Sequence, residues 1–104
     1  MVIQDHAYPT RAIEDILLPE QMHGKGRLFA RGTLQPGHSV GYHVHEKDME
    51  ICFFLSGTGI VEDETGAKTA VQAGDTNIVD VGHGHKIVNT GTQPLQYLAV
   101  ILYA

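Results

Sequence analysis

Glycine interrupts the apolar runs of this sequence at intervals too short for a core helix. Twelve glycines fall in 104 residues. The runs between them are rich in Val, Ile, Phe and Tyr, residues that suit a pleated, half-buried surface. Short β-prone runs broken by turn residues are the pattern of an all-β sandwich or barrel. Strands are expected near Arg27–Leu34, Ser39–His45, Glu50–Ser56, Gly59–Glu62, Lys68–Val71, Thr76–Val79, His85–Asn89 and Leu95–Leu102. The segments between carry turn chemistry. Gln35-Pro36-Gly37, Ser56-Gly57-Thr58-Gly59, Glu64-Thr65-Gly66, Ala73-Gly74-Asp75 and Asn89-Thr90-Gly91 each offer a residue that fixes φ or tolerates a positive one.

Residues 1–26 read as a less regular segment. Ile13–Leu18 is apolar enough for an edge strand or a helical turn, ended by Pro19. His23-Gly24-Lys25-Gly26-Arg27 reads as a loop and lacks the spacing of a phosphate-binding loop. No repeat or linker divides the chain, so residues 1–104 are expected to form one domain. Seven Lys and Arg against twelve Asp and Glu give a net charge of -5, which argues against nucleic acid or an anionic membrane as partner. No run approaches the roughly 18 apolar residues of a membrane span. The start carries Asp5 and lacks a basic-then-apolar beginning, so no signal peptide is expected. The lone Cys52 excludes an internal disulfide and makes a reducing cytoplasm the expected compartment. So short a chain leaves much surface exposed, which a homodimer would help bury.

The chemistry concentrates in histidine, of which there are seven. His43 and His45 are two apart in a segment of strand character, so both rings point the same way. Their Cα atoms would lie about 6.5–7 Å apart, close enough for both rings to reach one ion. Glu50 lies at an odd offset from His45, but the polar, turn-like Glu46-Lys47-Asp48 lets the chain reverse and bring it back to the same interior. His85 follows the bend Gly82-His83-Gly84, which can aim a strand into a cavity. Three neutral imidazoles and a carboxylate suit a divalent Fe, Mn, Co, Ni, Cu or Zn ion.

Gly37-x5-His43-x-His45-x4-Glu50-x6-Gly57 resembles the first motif of the cupin superfamily. Gly74-x5-Asp80-x-Gly82-x2-His85-x3-Asn89 resembles the second, with Asp80 where the family usually has proline. The resemblance implies a double-stranded jelly-roll β-barrel with a metal in its mouth, and His43, His45, Glu50 and His85 as the ligands. The layout is similar to small single-domain bacterial cupins, some of them oxalate-decarboxylase-like.

Other residues have plainer alternatives. His83 forms a second i, i+2 pair with His85 and could supplement the ligands, but its glycine-flanked place suits a solvent-facing lip. Cys52 and Phe54 share strand parity with Glu50 and are pocket candidates, or simply core. Asn89 shares parity with His85 and is read as a hydrogen-bonding residue near the turn. Ile78, Val79, Ile87 and Leu98 are expected in the core. Ile51, Phe53 and Leu55 point out of the barrel and need a cover, from a second layer or a partner subunit. Arg27 and Arg31 could bind a carboxylate substrate or be solvated, and Glu46-Lys47-Asp48 reads as a solvated loop. Two functions fit. One is a metal-dependent enzyme (decarboxylase, dioxygenase or isomerase) acting on a small oxygen-rich molecule such as an organic acid, dicarbonyl or sugar derivative. The other is a non-enzymatic binding or sensing module with a structural or ligand-anchoring metal.

Overall fold

The computed structural model describes residues 4–7 and 12–104. Ten strands, numbered in chain order, form two antiparallel sheets: β1 (Gln4–Ala7), β2 (Ala12–Leu17), β3 (Gly26–Leu34), β4 (Ser39–Val44), β5 (Asp48–Ser56), β6 (Thr58–Asp63), β7 (Lys68–Gln72), β8 (Thr76–Val79), β9 (Gly84–Val88) and β10 (Leu95–Tyr103). The larger sheet runs β1-β2-β3-β10-β5-β8 and the smaller β4-β9-β6-β7. From β3 onward the chain crosses repeatedly between sheets, which makes the fold a jelly roll. All eight strands expected from the sequence are present, with ends within two residues of expectation.

The segment 1–26 is more regular than its sequence indicates. It supplies β1, β2 and a 3-10 turn at Pro19–Met22, while residues 1–3 and 8–11 lie outside the described residues. β2 is an inner strand, paired with β1 on one side and β3 on the other. Its inward positions are Ile13 and the buried carboxylate Asp15, and a charged residue on the buried face hides the period-two signal.

The core lies between the sheets. Cys52 and Phe54 of β5 and Leu95, Tyr97 and Ala99 of β10 face Val40, Val61, Val71 and Ile87 of the smaller sheet. The Tyr97 ring lies directly on Gly32, where a Cβ would overlap it, so only glycine lets the ring lie flat there. Ile51, Phe53 and Leu55 point outward as alternation requires, Phe53 and Leu55 being exposed. Two expected core residues do not belong there. Ile78 is 61% exposed and Leu98 is half-buried. Each alternates with inward neighbours, Ile78 with Asn77 and Val79, Leu98 with Tyr97 and Ala99, so strand parity overrides their hydrophobicity.

Candidate metal centre

The site forms where the two sheets face each other. His43 and His85 are directly opposed on β4 and β9 of the smaller sheet. Glu50 faces them from β5 of the larger sheet, and His45 sits just past the end of β4. A bulge aims β4 at this point. Its pairing with β9 steps from Val40↔Ile87 to His43↔His85, three residues against two. The extra residue resets parity, so Val40 is inward before the bulge and His43 and His45 are inward after it, while Tyr42 and Val44 are exposed. Past Val44, the backbone N–H of His45 donates to the His83 carbonyl (2.9 Å), and the Gly82 N–H donates to the His45 carbonyl (2.7 Å). The glycine bend thus holds His45 in place. Gly84 is required beside it, since a Cβ there would overlap the Tyr42 hydroxyl and the His43 carbonyl. Asp80 supports the same bend where proline was expected: its carboxylate accepts from the Val81 N–H (2.7 Å) and its carbonyl from the His83 N–H (3.1 Å).

The four side chains converge. One ligand atom from each of His43, His45, Glu50 and His85 lies within 4.8 Å of all the others. Glu50 Oε1 is 2.7 Å from His85 Nε2, 3.1 Å from His45 Nε2 and 3.7 Å from His43 Nε2. The Nε2 atoms of His43 and His85 are 3.1 Å apart. Donors about 2.1 Å from a common ion are spaced roughly 3.0–3.4 Å from their neighbours; the two 3.1 Å separations fall in that range, and 2.7 and 3.7 Å lie a few tenths of an ångström to either side.

The second nitrogen of each ring explains the orientation. Nδ1 of His43 meets the Gly41 carbonyl at 2.8 Å, Nδ1 of His45 meets the Asp48 carboxylate at 2.7 Å, and Nδ1 of His85 meets the Asn77 amide oxygen at 2.9 Å. Each of these oxygens can only accept, so each Nδ1 carries the hydrogen and each Nε2 of a neutral ring presents a lone pair. Three lone pairs and a carboxylate therefore face one point with no proton between them. Such a set is mutually repulsive unless a cation fills it, and its composition fits a divalent transition metal.

Burial pushes the Glu50 carboxyl up, but its imidazole neighbours, His43 and His85 foremost, outweigh that and hold it well below the ordinary carboxylate range. That lowering requires hydrogen on Nε2 of the rings; with lone pairs there, a bound cation takes over the same role. Asp48 behaves likewise: burial raises it, and hydrogen bonds from Arg27 and His45 bring it below its usual value.

Beyond those four, the sequence-based candidates separate. Cys52 and Phe54 are fully buried in the core. Asn89 is also buried. Its amide donates to the Leu34 and Gln93 carbonyls (2.8 Å each) and accepts from the Gly91 N–H (2.9 Å), which ties β9 to the neighbouring loops. His83 stands on the lip, its side chain 59% exposed and its Nδ1 3.2 Å from Glu64. Glu64 also accepts from the Gly84 N–H (3.1 Å); that bond, with His83, holds its carboxyl below the usual range. Arg27 and Arg31 are committed to Asp48 (2.7 Å) and Glu14 (2.6 Å).

Two residues that orient the rings escaped the sequence reading, Asp48 and Asn77. Asp48, expected in a solvated loop, is buried and opens β5. The parity that sends Glu50, Cys52 and Phe54 inward sends Asp48 inward too, so the signal was present. Asn77 pairs with Cys52 in register and alternates with the outward Ile78. A cavity of about 230 Å³ adjoins His85, walled in part by Val61, Thr69, Asn77 and Val79 with His83 and Glu64 at its edge.

Residues 30–101 match the family model described as a cupin domain. A Thermotoga maritima protein named oxalate-binding protein is 47% identical over 87 residues, which span 84% of this chain and 71% of that one. A crystal structure described as a predicted oxalate decarboxylase from Thermotoga maritima superposes with a TM-score of 0.87 at 44% identity, over 90% of this chain and 81% of the other. A Klebsiella pneumoniae protein with a double-stranded β-helix domain superposes with a TM-score of 0.79 at 22% identity, over 98% of this chain and 83% of the other, a likeness of fold alone.

Proposed function

Because the chain belongs to the cupin domain family, we propose that it is a metal-dependent enzyme whose divalent ion, held by His43, His45, Glu50 and His85, takes a small oxygen-rich acid of the oxalate class. The observation that carries this reading is the convergence of three Nε2 lone pairs and the Glu50 carboxylate, each ring locked from behind by an acceptor. A divalent ion there would supply Lewis acidity to the oxygens of a bound acid. The names given to the Thermotoga maritima sequence and crystal structure support oxalate as the first ligand to try. The cavity beside His85, about 230 Å³, exceeds the volume of a six-heavy-atom acid such as oxalate and leaves space for water beside it. Of the four ligands its lining includes His85 alone, and it carries Asp63 and Glu64 with no Lys or Arg, so an acid entering there would depend on the ion for its counter-charge.

The test loads the untagged protein in turn with Fe, Mn, Co, Ni, Cu and Zn, titrates oxalate calorimetrically, and follows oxalate loss, formate and CO₂ release and oxygen uptake. Turnover with at least one metal is expected. Oxalate binding without turnover on any metal would select the second reading, a binding module with a ligand-anchoring metal, which the name oxalate-binding protein favours. Failure to bind any of the metals would remove both.

We also propose that the protein is a homodimer through the outer face of its larger sheet. Ile78, Ile51, Val100 and Phe29 form one cross-strand row there, and Phe53 and Leu98 extend a second row up to the Arg31–Glu14 ion pair. Four strands at about 4.8 Å spacing and roughly 20 Å of strand length give a flat footprint of about 400 Å². That lies within the range of the largest apolar patch on a monomer, which is often functional. It is modest for an interface, so the dimer should dissociate on dilution. The same face on two copies suits a two-fold contact. Sedimentation should show a concentration-dependent dimer that Phe53→Lys shifts to monomer. A wild-type monomer at every concentration would exclude it.

A further inference from the structure

We propose that Asp48 is a positioning residue that decides which nitrogen of His45 faces the metal, and that Arg27, on the other oxygen of the same carboxylate, makes an amide at position 48 turn the wrong way. The inference rests on the metal reading above. Arg27 leaves β3 and passes the end of β10 to reach Asp48 at the start of β5, its Nε donating to Asp48 Oδ2 at 2.7 Å. The other oxygen, Oδ1, is left for His45 Nδ1, also at 2.7 Å. The carboxylate is thus held between two donors, one oxygen each. His45 is the one ring of the three whose outer partner is charged, since His43 rests on the Gly41 carbonyl and His85 on the Asn77 amide. A ring bonded to a carboxylate is a stronger metal donor than one bonded to a neutral oxygen.

The arrangement has a logic that substitution can expose. A guanidinium only donates. In Asp48→Asn the amide has one accepting oxygen and two claimants. Arg27 cannot bond to the amide NH₂, so the oxygen goes to Arg27 and the NH₂ turns to His45. His45 Nδ1 must then accept, its hydrogen moves to Nε2, and the ring presents an N–H where a lone pair is needed. A carboxylate-to-amide change that leaves the shape intact and installs the wrong tautomer is costly in catalytic histidines for the same reason. Removing Arg27 frees the amide to rotate, return its oxygen to His45 and restore the tautomer. The second substitution should therefore repair the first.

Zinc affinity, measured by competition with a chromophoric chelator, is the first readout. Asp48→Asn is expected to bind zinc about 100-fold more weakly than wild type, the upper end for an outer-shell change. Asp48→Asn with Arg27→Met is expected to return to within about tenfold of wild type, and Arg27→Met alone to differ by less than about threefold. A merely structural ion pair would also recover in part, since removing both members leaves no stranded charge, so the position of the His45 hydrogen is the readout that separates the two. Ring ¹⁵N NMR of the zinc-loaded proteins is the second readout. His45 should carry its hydrogen on Nδ1 in wild type, on Nε2 in Asp48→Asn, and on Nδ1 again in the double variant, with His43 and His85 unchanged. The proposal is overturned if the double variant binds no tighter than Asp48→Asn, if the His45 pattern is unaltered in Asp48→Asn, or if Arg27→Met alone loses as much affinity as Asp48→Asn. Where Asp48→Asn does not fold, Arg27→Met against wild type and the wild-type His45 pattern still decide: a loss well beyond threefold in Arg27→Met, or a wild-type His45 carrying its hydrogen on Nε2, overturns the proposal. A wild-type protein that takes up no zinc sinks the metal reading and this inference with it, whereas zinc uptake without recovery sinks this inference alone.

Discussion

His85→Ala is expected to lower zinc affinity about 100-fold or more and to leave the untagged protein nearly free of metal after purification. A four-ligand zinc site is worth about 10–16 kcal/mol at neutral pH. One ligand is then worth roughly 2.5–4 kcal/mol, and 1.4 kcal/mol is a factor of ten. His85 is buried, its Nε2 lies 2.7 Å from Glu50 and 3.1 Å from the His43 Nε2, and no other side chain occupies its place opposite His43. The Asn77 oxygen also loses its donor. His83→Ala is the paired control and should retain metal, because that ring stands on the lip against Glu64. Elemental analysis of both variants against wild type decides the matter. Equal occupancy in His85→Ala and wild type would show the ligand set to be wrong and make His83 the candidate.

Metal binding should weaken steeply in acid. Only the unprotonated imidazole offers a lone pair, and imidazole side chains in general take up protons below about pH 6.5. With three rings in competition with protons, zinc affinity should fall by up to about a thousandfold per pH unit well below that value, and much more gently above pH 7. The sign for Asp48 points the same way. Its carboxyl, bonded to Arg27 and His45, lies below its ordinary value in the folded protein. Its ionised form therefore favours the fold. That contribution is complete above the ordinary carboxylate value and is lost as the pH falls through the folded-state one. Chelator competition from pH 8 to pH 5, with thermal midpoints of metal-loaded and metal-free protein measured alongside, reads both effects. An affinity unchanged between pH 7.5 and pH 5.5 would exclude imidazole ligation.

Strand positions were legible in the sequence because each strand ends at a residue with a local physical reason to turn. Gly37, Gly57, Gly66, Gly74 and Gly82 all adopt positive φ, and each stands at one of the breaks read from the sequence. Alternation gave the facing of β5 as well, with Cys52 and Phe54 inward and Phe53 and Leu55 outward. Expectation fails where residue type and parity disagree. Ile78 and Leu98 are apolar but fall on outward positions, and Asp48 is charged but falls on an inward one. In β2 the buried Asp15 concealed a strand in the same way.

Sequence alone determined the strand count from β3 onward, because glycine turns and period-two alternation are properties of neighbouring residues, while the four side chains that meet stand out through their match to the cupin motifs. Only the tertiary structure decided how those side chains are held. The bulge after Val40, which turns His43 and His45 inward, exists only as a mismatch with β9. The acceptors behind the rings come from Gly41, Asp48 and Asn77, and Asn77 belongs to the opposite sheet from the ring it orients. Arg27 reaches Asp48 past an intervening strand. Contacts between segments distant in sequence leave no periodic trace in either segment, so they become visible only once the sheets face each other.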